Sequence, residues 1–220
     1  EEIATLNPDM VGITSMFTPY YFEVQEITSR LKRKCPHIKI VIGGAHASIM
    51  PEEILNDGSA DYVVIGEGEQ AIVELVSHLK EERVISEVAS LAYRANGKTE
   101  INPVRTMAID IIPSPVDRDF DYSAYRVKDK PMCMILTSRG CPYQCSFCTT
   151  HRVFGRGYRQ REVDSIIEEM NAYYRKGIRF FDFEDDNLTL NKSFIIDLCN
   201  KIEETFKPDK ATLTAMNGVS

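Results

Sequence analysis

Short apolar runs alternate with amphipathic stretches along the first 80 residues. Apolar runs of strand length lie at 10–15, 38–42 and 62–65, and helices are predicted between and after them. The helix predicted over 20–34 should bury its apolar positions, which are Phe22, Val24, Ile27 and Leu31. Strands that alternate with helices form parallel sheets covered by helices on both faces. The pattern therefore predicts an α/β fold that starts with a doubly wound parallel sheet.

The same alternation returns in the last third of the chain. Strands are predicted over 132–136, 178–183 and 211–215, and helices over 162–176 and 193–206. A strand, helix, strand, helix, strand order fits the opening of a (β/α) barrel. Active-site residues of such a barrel lie at the carboxyl ends of its strands, so the loops after these strands are the places to search for chemistry.

The segment between these two parts has no helical periodicity. Asn96-Gly97 stands between two strand-like runs and predicts a two-residue hairpin turn, and residues 102–131 are rich in Pro and Asp. The sequence therefore predicts a partial sheet domain over 1–88, a hairpin and linker over 89–131, and the first part of a barrel over 132–220. The chain opens without Met and stops after a strand-like run, so we interpret it as a fragment that shows little turnover alone.

Composition and charge exclude several classes of protein. A chain of 220 residues with 43% apolar and 27% charged residues is typical of a globular protein. Its net charge of −7 argues against a broad nucleic-acid surface. No apolar run approaches the roughly 20 residues that a membrane-spanning helix needs. A cytoplasmic protein with reduced thiols and without membrane or nucleic-acid partners is therefore predicted.

Three of the six cysteines form a compact motif directly after the strand predicted over 132–136. Cys141, Cys145 and Cys148 have CxxxCxxC spacing in a loop that contains glycine and proline, so three thiolates can converge on one small inorganic body. A cubane iron–sulfur cluster held by protein alone takes four cysteines. Three cysteines therefore leave one iron open to a substrate or cofactor.

A structural zinc ion is the alternative occupant of this loop. His151 is near enough in sequence to serve as a fourth ligand, although structural zinc sites usually come as two spaced pairs. The chain would then be a non-catalytic zinc-binding module. Two of the remaining cysteines are expected to be small buried residues, Cys133 and Cys199, and Cys35 ends a helix.

The cysteine spacing resembles the signature of the radical S-adenosylmethionine (SAM) enzymes. The likeness includes the aromatic residue before the third cysteine and Ser138-Arg139-Gly140 before the first. It implies that Cys141, Cys145 and Cys148 hold a 4Fe-4S cluster whose fourth iron is chelated by SAM. An electron from the cluster then cleaves SAM to methionine and a 5′-deoxyadenosyl radical. The resemblance also implies that Phe147 packs near the adenine of SAM.

An acidic cluster follows the strand predicted over 178–183. Glu184, Asp185 and Asp186 repel one another unless a cation or an ammonium group lies among them. Radical SAM enzymes carry a motif similar to Gly-Gly-Glu at this place, and its acid holds the methionine amino group. Alignment puts Asp186 at that acid, and the resemblance implies SAM-binding roles for Asp186, Asp185 and Glu184. A solvated loop that caps the next helix is the alternative.

The loops after the first strands carry a second resemblance. Ser15 with Phe17, followed by Gly43-Gly44, is similar to two parts of the cobalamin-binding pattern, Ser-x-Leu and Gly-Gly. Gly66-Glu67 extends the likeness to the cobalamin-type domain of radical SAM enzymes. Cobalamin-binding roles are therefore implied for Ser15, Gly43, Gly44, Gly66 and Glu67. No Asp-x-His-x-x-Gly motif precedes Ser15, so either that part lies outside this chain or the protein does not ligate cobalt through a histidine. His46 is expected to be a structural residue or a neighbour of ligand-binding residues, and not a cobalt ligand.

Together the resemblances imply a cobalamin-type radical SAM enzyme with a 4Fe-4S cluster, SAM and cobalamin as cofactors. Such enzymes often move a methyl group from methylcobalamin to an unactivated carbon of a small-molecule substrate, with flavodoxin or ferredoxin as electron donor. A radical cyclase, a rearrangement enzyme or a methylthiotransferase-like enzyme without cobalamin is the first alternative. The non-catalytic zinc module is the second.

Overall fold

The chain divides into two compact units. The first comprises residues 1–107 and 144–155, and the second comprises residues 108–143 and 156–220. No helix that the structure describes has the length and apolar character needed to cross a membrane. The structure is a computed structural model, and it describes residues 2–117, 120–206, 211–215 and 217.

The first unit is built on one mixed sheet. Its strands are Met10–Thr14 (β1), Lys39–Gly43 (β2), Tyr62–Val64 (β3), Leu91–Ala95 (β4) and Lys98–Ile101 (β5). Its helices are Glu2–Leu6 (α1), Tyr21–Lys34 (α2), Ala45–Ile49 (α3), Pro51–Asn56 (α4), Glu69–Leu79 (α5) and Thr150–Val153 (α6). The strand order is β1-β2-β3-β4-β5. β1 to β3 run parallel, and β4 and β5 add an antiparallel hairpin beside β3.

Hydrophobic clusters cover both faces of this sheet. Ile40 and Ile42 of β2 pack in one cluster with side chains of α2, α3 and α4. Val41, between them, packs in another cluster with Ala71 and Leu75 of α5. Successive side chains of a strand point to opposite faces, so the consecutive apolar residues Ile40 to Ile42 bury β2 on both sides. The predicted doubly wound α/β arrangement is confirmed for β1 to β3.

The hairpin predicted at Asn96-Gly97 is present but is not part of a linker. Tyr62, Val63 and Val64 of β3 pair with β4, which makes the hairpin an extension of the sheet. Leu91 is fully buried in the same cluster as α5. The first unit therefore continues to Met107, beyond the boundary predicted at residue 88.

The buried face of α2 is offset from the predicted one. Tyr21, Val24 and Thr28 are buried, whereas Phe22 is 62% and Ile27 48% exposed. The buried positions are three and four residues apart and so form one stripe along the helix. Thr28 tolerates burial because its hydroxyl donates to the carbonyl of Gln25. The prediction had relied on apolar residue type alone.

The second unit contains the predicted barrel-type alternation. Its strands are Arg126–Val127 (β6), Lys130–Ile135 (β7), Ser138–Arg139 (β8), Arg159–Gln160 (β9), Phe180–Phe183 (β10) and Thr212–Ala215 (β11). Its helices are Val163–Arg175 (α7) and Lys192–Thr205 (α8). One sheet has the order β11-β10-β7-β6, with β7, β10 and β11 parallel, and β8 pairs with β9 separately.

The core of the second unit lies between this sheet and its helices. Phe181 and Ile135 are fully buried with Met170 of α7 and Leu198 of α8. Val116 is buried in the same core, so residues 108–131 of the Pro-rich and Asp-rich segment belong to this unit, whereas residues 102–107 belong to the first. Tyr122 of the same segment also packs against this core, and its hydroxyl lies 3.0 Å from that of Tyr173.

The cysteines outside the motif differ in burial. Cys35 and Cys133 are buried, and burial raises the pKa of the Cys133 thiol to about 12. The prediction for Cys199 was wrong, because its side chain is exposed. Cys199 follows the buried Leu198, and one residue is a rotation of roughly 100° around a helix.

Candidate functional site

The carboxyl ends of β7 and β10 lie side by side. The strands pair in parallel, with Met134 opposite Asp182 and Ile135 opposite Phe183. The segment after β7 leads to Cys141, and the segment after β10 is the acidic cluster. The structure therefore brings the start of the cysteine loop next to the acidic residues, as the strand order predicts.

Asp185 is almost completely buried at this edge, with 1% of its surface exposed. Its Oδ1 accepts hydrogen bonds from the Thr137 N–H at 3.1 Å, from the Thr137 hydroxyl at 2.7 Å and from the Ser138 hydroxyl. Its Oδ2 lies 3.2 Å from the same Thr137 nitrogen. Hydrogen bonds to an ionised acceptor are stronger than neutral ones. Asp185 thus fastens the chain between β7 and Cys141, while its predicted contact with SAM stays a prediction.

Asp186 and Glu184 are half-buried on either side of Asp185. Oδ2 of Asp186 accepts a hydrogen bond at 3.2 Å from the N–H of Gly140, immediately before Cys141. Glu184 accepts one at 2.8 Å from Nδ2 of Asn217. Burial, followed by a hydrogen bond with the Asp182 carboxyl, raises the pKa of Glu184. Burial and the neighbouring Asp182 carboxyl therefore favour the protonated form of Glu184.

A cavity of about 330 Å³ adjoins the carboxyl edge within the second unit. Arg161 forms part of its wall, pairs with the buried Glu169 at 2.7 Å and donates to the carbonyl of Leu136 at 2.9 Å. Glu184 and Arg139 line it as well. An apolar cavity with few polar groups is typical of a small-molecule site. The apolar walls come from Ile109, Ile112, Pro113, Pro115, Met134 and Leu136.

The three motif cysteines are free thiols on a segment without helix or strand. Cys145 is exposed, and Cys141 and Cys148 are partly exposed. The Cys148 N–H donates to the Cys145 carbonyl at 3.1 Å, and the Cys148 thiol donates to Oγ1 of Thr150 at 3.3 Å. Free thiols at this spacing are the donor set that an iron–sulfur cluster takes, so the residues fit that group. Among the described residues no three such ligating side chains are gathered to hold a metal ion, so their convergence stays a prediction.

Two aromatic residues lie in or near the cysteine loop. Phe147 is 87% exposed, and its predicted contact with adenine stays a prediction. Tyr158 was missed by the sequence analysis, although it lies close to the start of the loop. Nε2 of Gln160 donates to its hydroxyl at 3.0 Å, and burial, with smaller contributions from Asp185 and Cys141, raises the pKa of the Tyr158 phenol.

The carboxyl edge of the first sheet brings the predicted cobalamin loops together. The N–H of Ser15 donates to the carbonyl of Gly43 at 2.7 Å, and the N–H of His46 donates to the carbonyl of Ser15 at 3.0 Å. A Cβ atom on Gly44 would lie 2.7 Å from the Ser15 carbonyl oxygen, which is closer than real Cβ contacts allow. Only glycine therefore fits at residue 44 in this arrangement.

A second cavity, of about 230 Å³, opens at this edge. Because the glycines that line this cavity have no side chains, a bulky ligand can reach the backbone. Oγ of Ser15 and Nε2 of His46 are buried and have no hydrogen-bond partner among the described residues, which is unusual for buried polar atoms. Neither Ser15 nor His46 lines the cavity, so the fit to a large ligand such as cobalamin rests on the glycine cradle. The glycines that line the cavity are Gly12, Gly43, Gly44, Gly66 and Gly68.

Gly12 and Gly68 were missed by the sequence analysis, and one of them had a usable signal. Gly12 interrupts the apolar strand β1, and a glycine inside a strand often marks a close approach of ligand or backbone. Gly68 precedes α5 and resembles an ordinary turn residue in sequence. A pattern of residue types alone does not separate these two cases.

Glu67 and His46 have internal partners in the first unit. Glu67 is 5% exposed and accepts a hydrogen bond at 3.0 Å from the N–H of Met107, and it does not line the glycine cavity. Its predicted contact with cobalamin stays a prediction. Nδ1 of His46 lies 3.0 Å from Oγ1 of Thr18, and its ring is 4.6 Å from that of Tyr21. These contacts agree with a structural role for His46.

Comparisons with known families agree with both candidate sites. Residues 1–76 match the B12 binding domain, and residues 135–219 match the Radical SAM superfamily. The chain therefore carries a B12-binding domain ahead of a radical SAM domain. The predicted family and the predicted cofactor classes are confirmed.

Similar proteins include enzymes of two kinds. An uncharacterized methyltransferase of Pyrococcus horikoshii is 34% identical over 92% of this chain and 45% of its own length. The anaerobic magnesium-protoporphyrin IX monomethyl ester cyclase of Rubrivivax gelatinosus is 30% identical over 99% of this chain and 40% of its own length. The radical SAM methyltransferase TsrM from Kitasatospora setae, solved with tryptophan substrate and a SAM analogue, is 25% identical with a TM-score of 0.72 over 93% of this chain and 42% of its own. The chain spans less than half the length of these relatives.

The substitution Glu184→Gln should make the melting temperature less sensitive to rising pH. Because the folded protein raises the pKa of Glu184 above its ordinary value of 4.5, the protonated acid stabilises the fold below that pH, and this contribution is lost as the pH rises through the raised value. Glutamine does not ionise and so escapes the loss. Between about pH 4.5 and about pH 7, the melting temperature of the variant should therefore rise relative to that of the wild type as the pH increases.

A matched variant, Glu203→Gln, changes an exposed acid on α8. Its difference from the wild type should not follow the same pH course. A constant difference for Glu184→Gln across this range would contradict the raised pKa of Glu184.

Proposed function

We propose that the protein is a cobalamin-dependent radical SAM methyltransferase that methylates an unactivated carbon of a small molecule. The proposal rests on one observation, which is that a single chain contains a B12-binding domain followed by a radical SAM domain. A glycine-lined edge lies in the B12-binding domain, and a CxxxCxxC loop is fastened to a parallel sheet of the radical SAM domain. The proposed location is the cytoplasm, and the proposed electron donor is flavodoxin or ferredoxin.

Cys141, Cys145 and Cys148 are the proposed cluster ligands, by their spacing and free thiols. When bound, the 4Fe-4S cluster supplies the electron that cleaves SAM, and cobalamin carries the methyl group. Asp185 holds the approach to Cys141 through Thr137 and Ser138. These hydrogen bonds therefore restrict the movement of Cys141 through the segment that connects it to β7.

Asp186 and Glu184 are proposed to bind the ammonium group of SAM. Both carboxyl groups lie at the end of β10, beside the segment that leads to Cys141. A positive charge here would relieve the repulsion within the acidic cluster. It would also lower the raised pKa of Glu184, since a neighbouring cation favours the ionised acid.

The 330 Å³ cavity is the proposed place of the reacting groups. A carbon radical removes hydrogen from whatever it meets, so its site has to exclude water and hold the substrate still. Met134 and Leu136 turn apolar side chains to this cavity, and the Arg161–Glu169 pair closes part of its wall without leaving either charge unpaired. The substrate should therefore present mainly apolar surface to it.

The glycine cavity of the first unit is the proposed seat of cobalamin. Gly12, Gly43 and Gly68 leave space against the backbone of the sheet. The buried Ser15 hydroxyl, which has no hydrogen-bond partner among the described residues, does not line this cavity. His46 holds its ring against Tyr21 and keeps Nε2 unpaired. No role as a cobalt ligand is assigned to His46.

Anaerobic reconstitution with iron and sulfide should give the wild-type chain a cubane cluster. Its electron paramagnetic resonance signal after reduction should shift when SAM is added, because SAM binds the open iron. Cys141→Ala, Cys145→Ala and Cys148→Ala should each lose the signal. Cys199→Ala, which removes an exposed cysteine elsewhere, should keep it. Tight stoichiometric zinc without any cluster would instead establish the zinc-binding module.

Hydroxocobalamin should bind the wild-type protein at tens of micromolar or below, as followed by its visible spectrum. Gly12→Leu should weaken binding by about tenfold or more, since its side chain would fill the cradle. Gly157→Leu is the matched control, because a Cβ there meets no described atom within 4 Å. Absence of wild-type binding would remove cobalamin from the proposal and leave the cluster chemistry intact.

Radical cyclisation is the second candidate function. It is favoured by the similarity to the cyclase of Rubrivivax gelatinosus, which covers 99% of this chain. Transfer of an isotopically labelled methyl group from SAM to the product separates the candidates, since cyclisation leaves the product without the label.

A further inference from the structure

A short helix directly after the cysteine motif packs on the glycine edge within the first unit. This helix, α6, starts shortly after Cys148 and contacts α3, the helix that follows Gly43-Gly44. The second half of the cysteine motif is thus connected to the loops that line the glycine cavity.

The closest approach in this contact is between backbones. A Cβ atom on Gly66 would lie 2.8 Å from the carbonyl oxygen of Val153, the last residue of α6. The next neighbour, Cγ1 of Val104, would be at an ordinary 3.7 Å. A backbone oxygen cannot rotate away as a flexible side chain does. A side chain on residue 66 therefore requires α6 to move.

Gly66 is held in place from the opposite side. Its N–H donates to Oγ of Ser48 at 2.8 Å, and that hydroxyl donates to the carbonyl of Gly44 at 2.8 Å. Ser48 is buried, and Gly44 is itself packed against Ser15. Because Gly66 has little room to retreat, a collision with Val153 would be relieved mainly by a shift of α6.

Such a shift would reach the cysteines through local hydrogen bonds. The Phe154 N–H donates to the Thr150 carbonyl at 2.9 Å, which ties Val153 and its neighbours to the start of α6. Oγ1 of Thr150 contacts the Cys148 thiol, and Cys148 in turn bonds to the carbonyl of Cys145. The path from Gly66 to these two cysteines is short and made of close contacts.

We propose that Gly66 is a positioning residue for Cys145 and Cys148, because its missing side chain seats α6 at the distance that the cluster loop requires. The inference rests on the proposed function, in which these cysteines are cluster ligands. It gives Gly66 a role beyond lining the glycine cavity. The B12-binding domain thereby contributes to the formation of the cluster and not only to the binding of cobalamin.

Gly66→Ala is the test variant, and the chain offers two matched controls. Gly58→Ala reproduces the backbone cost, since both glycines have φ of +78°, but a Cβ on Gly58 meets no described atom within 4 Å. Gly68→Ala adds a methyl group to the same cavity, with a Cβ contact at an ordinary 3.8 Å and no positive φ. Gly58→Ala therefore controls for backbone strain, and Gly68→Ala controls for narrowing of the cavity. A loss found in Gly66→Ala alone then reports the collision with Val153.

Iron and sulfide content after anaerobic reconstitution, and the SAM-dependent change in the resonance signal, are the main readouts. Gly66→Ala should lose cluster content several-fold relative to both controls. Tryptic cleavage after Arg152, an exposed residue of α6, should be faster in the cluster-free Gly66→Ala protein than in Gly58→Ala. Melting temperatures of Gly66→Ala and Gly58→Ala report any general loss of folding.

Ser48→Ala is a milder second variant, since it loosens Gly66 without adding an atom near Val153. It should reduce cluster content less than Gly66→Ala does. Equal cluster content and equal cleavage rates in Gly66→Ala and Gly58→Ala would overturn the inference while leaving the proposed function in place. Failure of the wild-type chain to form any cluster would instead overturn the proposed function.

Discussion

The buried carboxylate of Asp185 is the interaction on which the candidate site depends. It receives the Thr137 N–H and the hydroxyls of Thr137 and Ser138, and so joins the end of β10 to the chain that leads from β7 to Cys141. Leaving a buried donor without an acceptor costs roughly 1–3 kcal/mol. These hydrogen bonds therefore stabilise the position of this segment, which has no regular structure beyond the short strand β8.

Parallel pairing makes this interaction possible. The carboxyl ends of β7 and β10 are neighbours, so residues that are far apart in sequence meet at one edge. The first unit follows the same rule, because Gly43 ends β2 while Ser15 and Gly66 come shortly after β1 and β3. Gly43 and Gly66 line the glycine cavity, and Ser15 is hydrogen-bonded to Gly43 beside it. In both units the strands supply rigidity and the loops after them supply chemistry.

The sequence predicted the elements that follow strong hydrophobic patterns. β2 and α7 were predicted from the spacing of their apolar residues, and the acidic cluster from its position after β10. Both are local features of the sequence. The burial of Cys199 was predicted wrongly, and the exposed face of α2 was missed, because tertiary contacts decide which side of a helix is covered. The fastening role of Asp185 was hidden as well, since it depends on which hydroxyls lie at the neighbouring strand end. The seat of α6 on Gly66 depends on a backbone distance that no pattern of residue types encodes.

Cluster content of Asp185 variants tests the central claim most directly. Asp185→Ala removes both carboxylate oxygens that accept from Thr137 and Ser138, whereas Asp185→Asn keeps one oxygen. Asp164→Asn changes an acid whose side chain is 82% exposed. After anaerobic reconstitution, iron per folded chain should fall most in Asp185→Ala, less in Asp185→Asn and not at all in Asp164→Asn. Wild-type iron content in an Asp185→Ala protein that still folds would contradict the account.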